Sequence, residues 1–143
     1  MVIALIGESC VGKSTLADVL KKRTGAEVYA GKDYLRLAKN EDEAVNIFRE
    51  KLSDSDSNIV YVISEKEHLD LLPQDAVKVL MTADIDVIKE RFAKRTGGKL
   101  PPPVEQMLIR KHGMFDGVSA DLRVVSGEDD LESVCDRILN IGR

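Results

Sequence analysis

The run Gly7-Glu8-Ser9-Cys10-Val11-Gly12-Lys13-Ser14, followed by Thr15, decides the reading of this chain. It fits G-x-x-x-x-G-K-[ST], the P-loop or Walker A pattern of phosphate binding. Its flanks agree. Val2-Ile3-Ala4-Leu5-Ile6 is a continuous apolar run of the kind that forms a strand buried on both faces. Downstream, Leu16, Val19 and Leu20 recur at helical spacing, Lys21, Lys22 and Arg23 close the run, and Gly25 stands just past its end. Gly7 and Gly12 permit the backbone angles and close approach that let several N–H groups converge on phosphate oxygens. Lys13 brings a positive charge to the β and γ phosphates, Ser14 offers a hydroxyl to Mg²⁺, and the helix starting there adds the positive end of its dipole.

The sequence has 143 residues, 43% hydrophobic and 32% charged, which suits one domain with one core, residues 1–143. No apolar run is long enough to span a bilayer, and the first strand follows Met1 directly, without a basic leader. The expectation is a cytoplasmic protein without a membrane partner. Cys10 and Cys135 lack metal-ligand spacing and read as a loop residue and a core residue. The net charge of −4 is unevenly spread. From Lys89 to Lys111 seven basic residues face two acids, a local +5, which leaves −9 elsewhere.

Taken in order, Glu27-Val28-Tyr29-Ala30 reads as a second strand ending at Gly31, with Lys32, Asp33, Tyr34 and Arg36 beyond it. Asn40 and Glu43 resemble a capping box ahead of the stripe Ala44, Ile47, Phe48 and Leu52. Ile59 to Ile63 is a third buried strand, and Ser64 with Glu67 has the form of a helix start, cut short by Pro73. Ala76 to Met81 makes a fourth strand, followed by a helix through Ile85, Ile88 and Phe92. On its wheel Arg95 and Arg91 lie about 20° and about 60° from Ile88, bordering the apolar side. Thr96 to Pro103 breaks that helix, and a second one runs from the last proline to Lys111 before Gly113. Leu122 to Val125 is a fifth strand, and Leu131, Val134, Cys135, Ile138 and Leu139 define a final helix. Strands alternating with helices predict an α/β fold of three layers, α/β/α, on a five-stranded parallel sheet.

A phosphate loop leaves open phosphoryl transfer, GTP-driven switching or mechanical work. The guanine-reading N-K-x-D and the switch motif D-x-x-G are both missing, as is an apolar strand ending in an acidic pair. Between strands four and five the chain carries instead two arginines four apart, a Gly/Pro-rich break and a second basic helix. In this order of elements it resembles the small P-loop kinases: nucleoside monophosphate kinases, shikimate kinase, gluconate kinase and dephospho-coenzyme A kinase. The resemblance covers nearly the whole chain, and its one specific motif is the loop from Gly7 to Thr15.

That resemblance implies ATP as donor, Mg²⁺ as cofactor and a small-molecule acceptor, with residues of roughly 95–117 as a short lid. It places Lys13, Asp33, Arg91 and Arg95 in catalysis, Ser14 and Asp33 at the metal, and the loop after strand five, with Gly127, against the adenine. Arg110 and Lys111 are further lid cations. Each carries a plainer alternative: Arg91 and Arg95 as surface ion pairs, Asp33 as a turn aspartate, Ser126-Gly127 as a helix cap. Glu65 is a second metal or water-orienting acid, although Ser64 and not an acid directly follows the strand. The leading expectation is an ATP-dependent phosphotransferase. Its rival is an ATP-binding regulatory module with little or no turnover, motivated by the compact stretch from Gly31 to Asn58. A nucleic-acid end kinase ranks last, given the net negative charge and the scarcity of aromatic residues near the basic segment.

Overall fold

A computed structural model describes residues 1–142. Its frame is β1 (Val2–Ile6), buried throughout, as a strand covered on both faces must be. The chain continues through α1 (Lys13–Thr24), β2 (Glu27–Ala30), a 3₁₀ helix (Asp33–Leu37), α2 (Glu41–Ser53) and β3 (Ile59–Ile63). A second 3₁₀ helix (Lys66–Leu71), β4 (Val77–Thr82), α3 (Ile85–Arg95), α4 (Pro102–Lys111), β5 (Leu122–Val125) and α5 (Leu131–Ile141) complete it. The strands form one parallel sheet in the order β2-β3-β1-β4-β5. Val2 pairs with Ile59 on one side of β1, and Ile3 with Val77 on the other.

Because side chains alternate along a strand, β1 feeds two cores. Ile3 and Leu5 join Leu16 and Leu20 of α1, Ile88 of α3, Leu108 of α4 and Val134, Cys135 and Ile138 of α5. Ala4 and Ile6 join Tyr61 of β3, Ala44, Phe48 and Leu52 of α2, and Phe115. The expected three-layer α/β/α fold is therefore present.

Local chemistry fixes the ends of the elements. Gly25 closes α1 with φ 71°, a left-handed value that suits glycine, and its N–H donates to Lys21 O. Asn40 Oδ1 accepts from the N–H of Glu43 at 2.7 Å, the N-cap expected for α2. Differences from expectation are local. The helix anticipated from Ser64 and Glu67 is a 3₁₀ helix with no side-chain cap, too short to close an α-helical ladder before Pro73. The fourth strand begins at Val77, and α4 starts one proline earlier than expected, with Pro102 and Pro103 in a first turn that needs no N–H donors.

Phe48 joins the second core to the carboxyl end of β2. Its ring lies 5.0 Å from Tyr29, 5.0 Å from Tyr61 and 5.3 Å from Tyr34, the last nearly parallel, and the Arg36 guanidinium lies over the Tyr29 ring at 4.7 Å. Tyr61 Oη donates to Gly31 O at 2.8 Å, tying the turn after β2 to β3. Replacing fully buried Phe48 by alanine leaves a cavity among these rings and is expected to cost about 3–5 kcal/mol. Urea unfolding measures this, and a loss below about 1 kcal/mol would contradict the packing role.

Candidate active site

The turn from β1 into α1 is compact because Gly7 has no side chain. A Cβ there would stand 2.5 Å from Met81 O and 2.9 Å from Val11 Cγ2, so any other residue would push β4 and the loop apart. The N–H of Gly7 continues the sheet by donating to Ile63 O at 3.1 Å. Gly12 (φ 93°) and Cys10 (φ 69°) are left-handed. For cysteine that conformation costs on the order of 1–2 kcal/mol. Val11 is wholly buried and anchors the loop in the first core, while Ser9, Ser14 and Thr15 are exposed on it.

Lys13 begins α1 yet is almost fully buried. Its ammonium donates to Gly7 O at 2.6 Å and to Glu8 O, lacing the loop across its mouth. Burial pulls its pKa down to about 8. Cys10 and Glu8 oppose that fall, and Arg95 adds to it. Lys13 and Arg95 are therefore close enough to repel, as two cations gathered for one anionic ligand would.

Beside the loop a cleft of about 430 Å³ is lined by Cys10, Gly12, Thr15, Arg91, Arg95 and Gly127, among others. Arg91 Nη1 donates to Cys10 O at 2.9 Å and to Ser126 Oγ at 2.8 Å, joining the phosphate loop to the loop after β5. That second loop is fixed by Ser126 N–H to Thr82 O at 2.8 Å and by Val125 N–H to Asp129 Oδ2 at 3.1 Å, with Gly127 at φ 87°. A larger depression of about 710 Å³ lies at the amino ends of the strands, near Met1, Asp54, Asp75 and Asp121, away from the glycine loop. Ligands of parallel sheets bind at the carboxyl ends, and the smaller cleft is the one there.

The residues singled out in the sequence thus fall into two groups. Cys10, Gly12, Thr15, Arg91, Arg95 and Gly127 line one cleft, with the rest of the run from Gly7 to Thr15 in the loop beside it. Asp33 stands apart at the end of β2, exposed, with Oδ2 accepting the N–H of Ala30 at 2.9 Å. Glu65 pairs with Lys111 at 3.7 Å, and Arg110 is exposed on α4. Sequence reasoning missed what the Glu8 side chain does. It points away from the cleft that Arg91 and Arg95 line, with Oε1 3.1 Å from His112 Nδ1 and Oε2 accepting the N–H of Gly113 at 3.2 Å. The available signal was chemical: a carboxylate inside a phosphate-binding loop needs a partner directed elsewhere.

This architecture recurs in solved structures. An uncharacterized protein from Eubacterium ventriosum ATCC 27560 superposes with a TM-score of 0.69 at 19% identity, over 99% of this chain and 98% of that one. Shikimate kinase from Acinetobacter baumannii, in complex with shikimate, gives 0.68 at 17% identity over 98% and 91% of the two chains. A gluconokinase from Sinorhizobium meliloti 1021 gives 0.63 at 17% identity over 97% and 89%. The chain has the fold of the small P-loop kinases. No protein-family model matches the sequence, and no curated protein does.

Within a P-loop kinase fold a magnesium ion is held mainly by phosphate oxygens and water, with one or two protein oxygens. Exposed Ser14, at the start of α1, fits that demand. Asp33 keeps only one carboxylate oxygen clear of its bond to Ala30. Among the described residues no helix is long and apolar enough to cross a membrane.

The lowered pKa of Lys13 sets a pH dependence. Between about 8 and the ordinary 10.5 the unfolded chain holds a proton that the folded chain has lost, so stability rises with pH through this window. The rise amounts to roughly 3 kcal/mol for a shift of this size. Burial raises the Cys135 thiol and the Tyr61 phenol, which oppose this rise in the same window. The test is therefore a difference: in urea unfolding the native protein should gain stability with pH relative to Lys13→Met. Equal slopes in the two proteins would refute the buried, depressed lysine.

Proposed function

We propose that the protein is an ATP-dependent phosphotransferase that moves the γ-phosphoryl group to a small-molecule acceptor. The reading rests above all on one convergence: buried Lys13, Arg91 and Arg95 meet at a glycine loop on the opening turn of a helix. A transferring phosphoryl group spreads negative charge over its oxygens, and fixed cations around a backbone cradle stabilise it. Lys13 meets the β and γ phosphates in this account, leaving its carbonyl partners. Arg91 uses one nitrogen on Cys10 and Ser126, so most of its five donors are available to phosphate.

Gly7, Glu8, Ser9, Cys10, Val11, Gly12, Lys13, Ser14 and Thr15 form the cradle, Gly7 by the close turn it allows, since its own N–H is held by Ile63 O, and the others through backbone N–H groups where their side chains point elsewhere; the Gly127 loop faces the adenine. Ser14, with Asp33 as second candidate, would hold Mg²⁺, which when bound would supply positive charge against that of the phosphates. Residues 1–143 work as a single kinase-like domain, and the segment from about 95 to 117 serves as a lid that excludes water from the transfer.

A second reading, an ATP-binding regulatory module, draws support from the opposite side of the loop. The recess there measures only about 40 Å³, and Asp33 is already engaged by Ala30.

Labelled ATP with Mg²⁺, incubated with panels of nucleotides, nucleosides, sugar acids and hydroxylated metabolites, separates the two. Transfer of label to an acceptor, reduced about a hundredfold or more in Lys13→Ala, is the expected result. ATP binding without transfer to any acceptor would instead establish the regulatory module. In Asp33→Asn, turnover should fall with ATP binding intact.

A further inference from the structure

The recess on the far side of the phosphate loop is lined by Glu8, Ser9, Ser64, Glu65, Met107 and Lys111, among others. Lys111 of the chain itself lines it, and the next two residues bond to Glu8 at its wall. Three consecutive residues present donors to two carboxylates: Lys111 Nζ lies 3.7 Å from Glu65 Oε1, His112 Nδ1 lies 3.1 Å from Glu8 Oε1, and Gly113 N–H donates to Glu8 Oε2 at 3.2 Å. The Glu8 side chain is only 10% exposed. The position is next to the proposed chemistry, because Glu8 is near enough to Lys13 to hold up its pKa. Its walls are adaptable, since Met107 and Met114 bracket the segment with flexible thioethers.

We propose that this recess is the acceptor subsite and that its acceptor is a small polyhydroxylated amine, protonated at neutral pH, which takes the place of Lys111, His112 and Gly113. The inference rests on the phosphotransfer reading given above. The nucleotide cleft lies on the opposite side of the loop, so an acceptor oxygen approaching in line with the departing ADP enters from the Glu8 side. To enter it must displace the segment, and a nearly buried carboxylate stripped of its donors is costly. A ligand carrying an ammonium and hydroxyl groups restores those bonds, whereas a carboxylate or phosphate would face Glu8 and Glu65 unpaired. The segment seated there is thus a guide to its replacement: a cation beside Glu65 and N–H or O–H donors on Glu8. In the transfer, one acceptor hydroxyl oxygen forms a bond to the γ phosphorus while the bond from that phosphorus to the β,γ-bridging oxygen breaks. ADP leaves with that electron pair, and the hydroxyl proton passes to an oxygen of the transferred phosphoryl group.

Glucamine, sorbitol and gluconate test this directly, being six-carbon polyols that end in an ammonium, a hydroxyl and a carboxylate. Each is titrated into the isotopically labelled protein holding a non-hydrolysable ATP analogue and Mg²⁺, with the Gly113 and Glu8 amide resonances as readout. Glucamine is expected to shift both saturably and to bind at least about tenfold more tightly than gluconate or sorbitol. In Glu8→Gln that preference should shrink to within about twofold. The comparison among probes needs no variant and stands if Glu8→Gln does not fold. The inference is overturned if gluconate binds as tightly as glucamine, if a probe binds without moving Gly113, or if none binds. Phosphate transfer is followed separately with labelled ATP. Transfer to gluconate alone overturns the amine and keeps the phosphotransfer reading. Saturable glucamine binding without transfer to any acceptor supports the cation-binding recess and overturns phosphotransfer.

Discussion

The contact between Gly7 and the carbonyl of Met81 is the constraint on which the rest depends. The central strand β1 can turn into the phosphate loop beside β4 only because residue 7 has no Cβ, which would stand 2.5 Å from that carbonyl. From that close approach follow the N–H of Gly7 on Ile63 O, the left-handed turn through Cys10 and Gly12, and the start of α1 at Lys13. The sheet places this turn at its centre, with β3 on one side and β4 on the other. Loops from strands on either side flank it: Glu65 after β3 at the small recess, and Ser126 after β5 at the cleft that Arg91 and Arg95 line.

Such a loop is unfavourable in isolation. It holds a cysteine at positive φ and a lysine whose burial pulls its pKa down to about 8. Both are offset by the surroundings. Val11 sinks into the core between α1 and the sheet, Arg91 takes the carbonyl that Cys10 leaves pointing outward, and the carbonyls of Gly7 and Glu8 accept from Lys13. These are the features of a ligand site kept ready by its scaffold, with strain concentrated where an anion would relieve it.

What could be read from the sequence follows physical range. β1 and β3 were legible because burial on both faces writes five consecutive apolar residues, and α5 because one buried face writes Val134, Cys135 and Ile138 at helical spacing. The glycine loop was legible because its pattern is local. The short helix after β3 was misread in type, since six residues carry too little period to separate a 3₁₀ turn from an α-helix. Arg91 was recognised as bordering the apolar side of its helix, but its partners Cys10 and Ser126 lie 81 and 35 residues away, and no local spacing announces them. The Glu8–His112 pair spans 104 residues and was missed for the same reason. Asp33 shows the opposite case, a position prominent in sequence whose carboxylate is partly spent on the turn that holds it.

The segment from α3 to the residues after α4 is fastened to the phosphate loop at both ends, and by different chemistry. At its start Arg91 donates to the carbonyl of Cys10, and at its finish His112 and Gly113 engage the side chain of Glu8, two residues earlier in the same loop. Lys13 reads both attachments, because Cys10 and Glu8 hold its pKa up while Arg95, from the last turn of α3, pushes it down. A movement of the segment that carried Arg95 toward bound phosphate would therefore change the field at Lys13 as well as the contacts at Cys10 and Glu8. The two sides of the loop are coupled through one short run of backbone. A ligand taken up beside Glu8, as proposed above, would have its binding set against the hold of Lys111, His112 and Gly113 on Glu65 and Glu8.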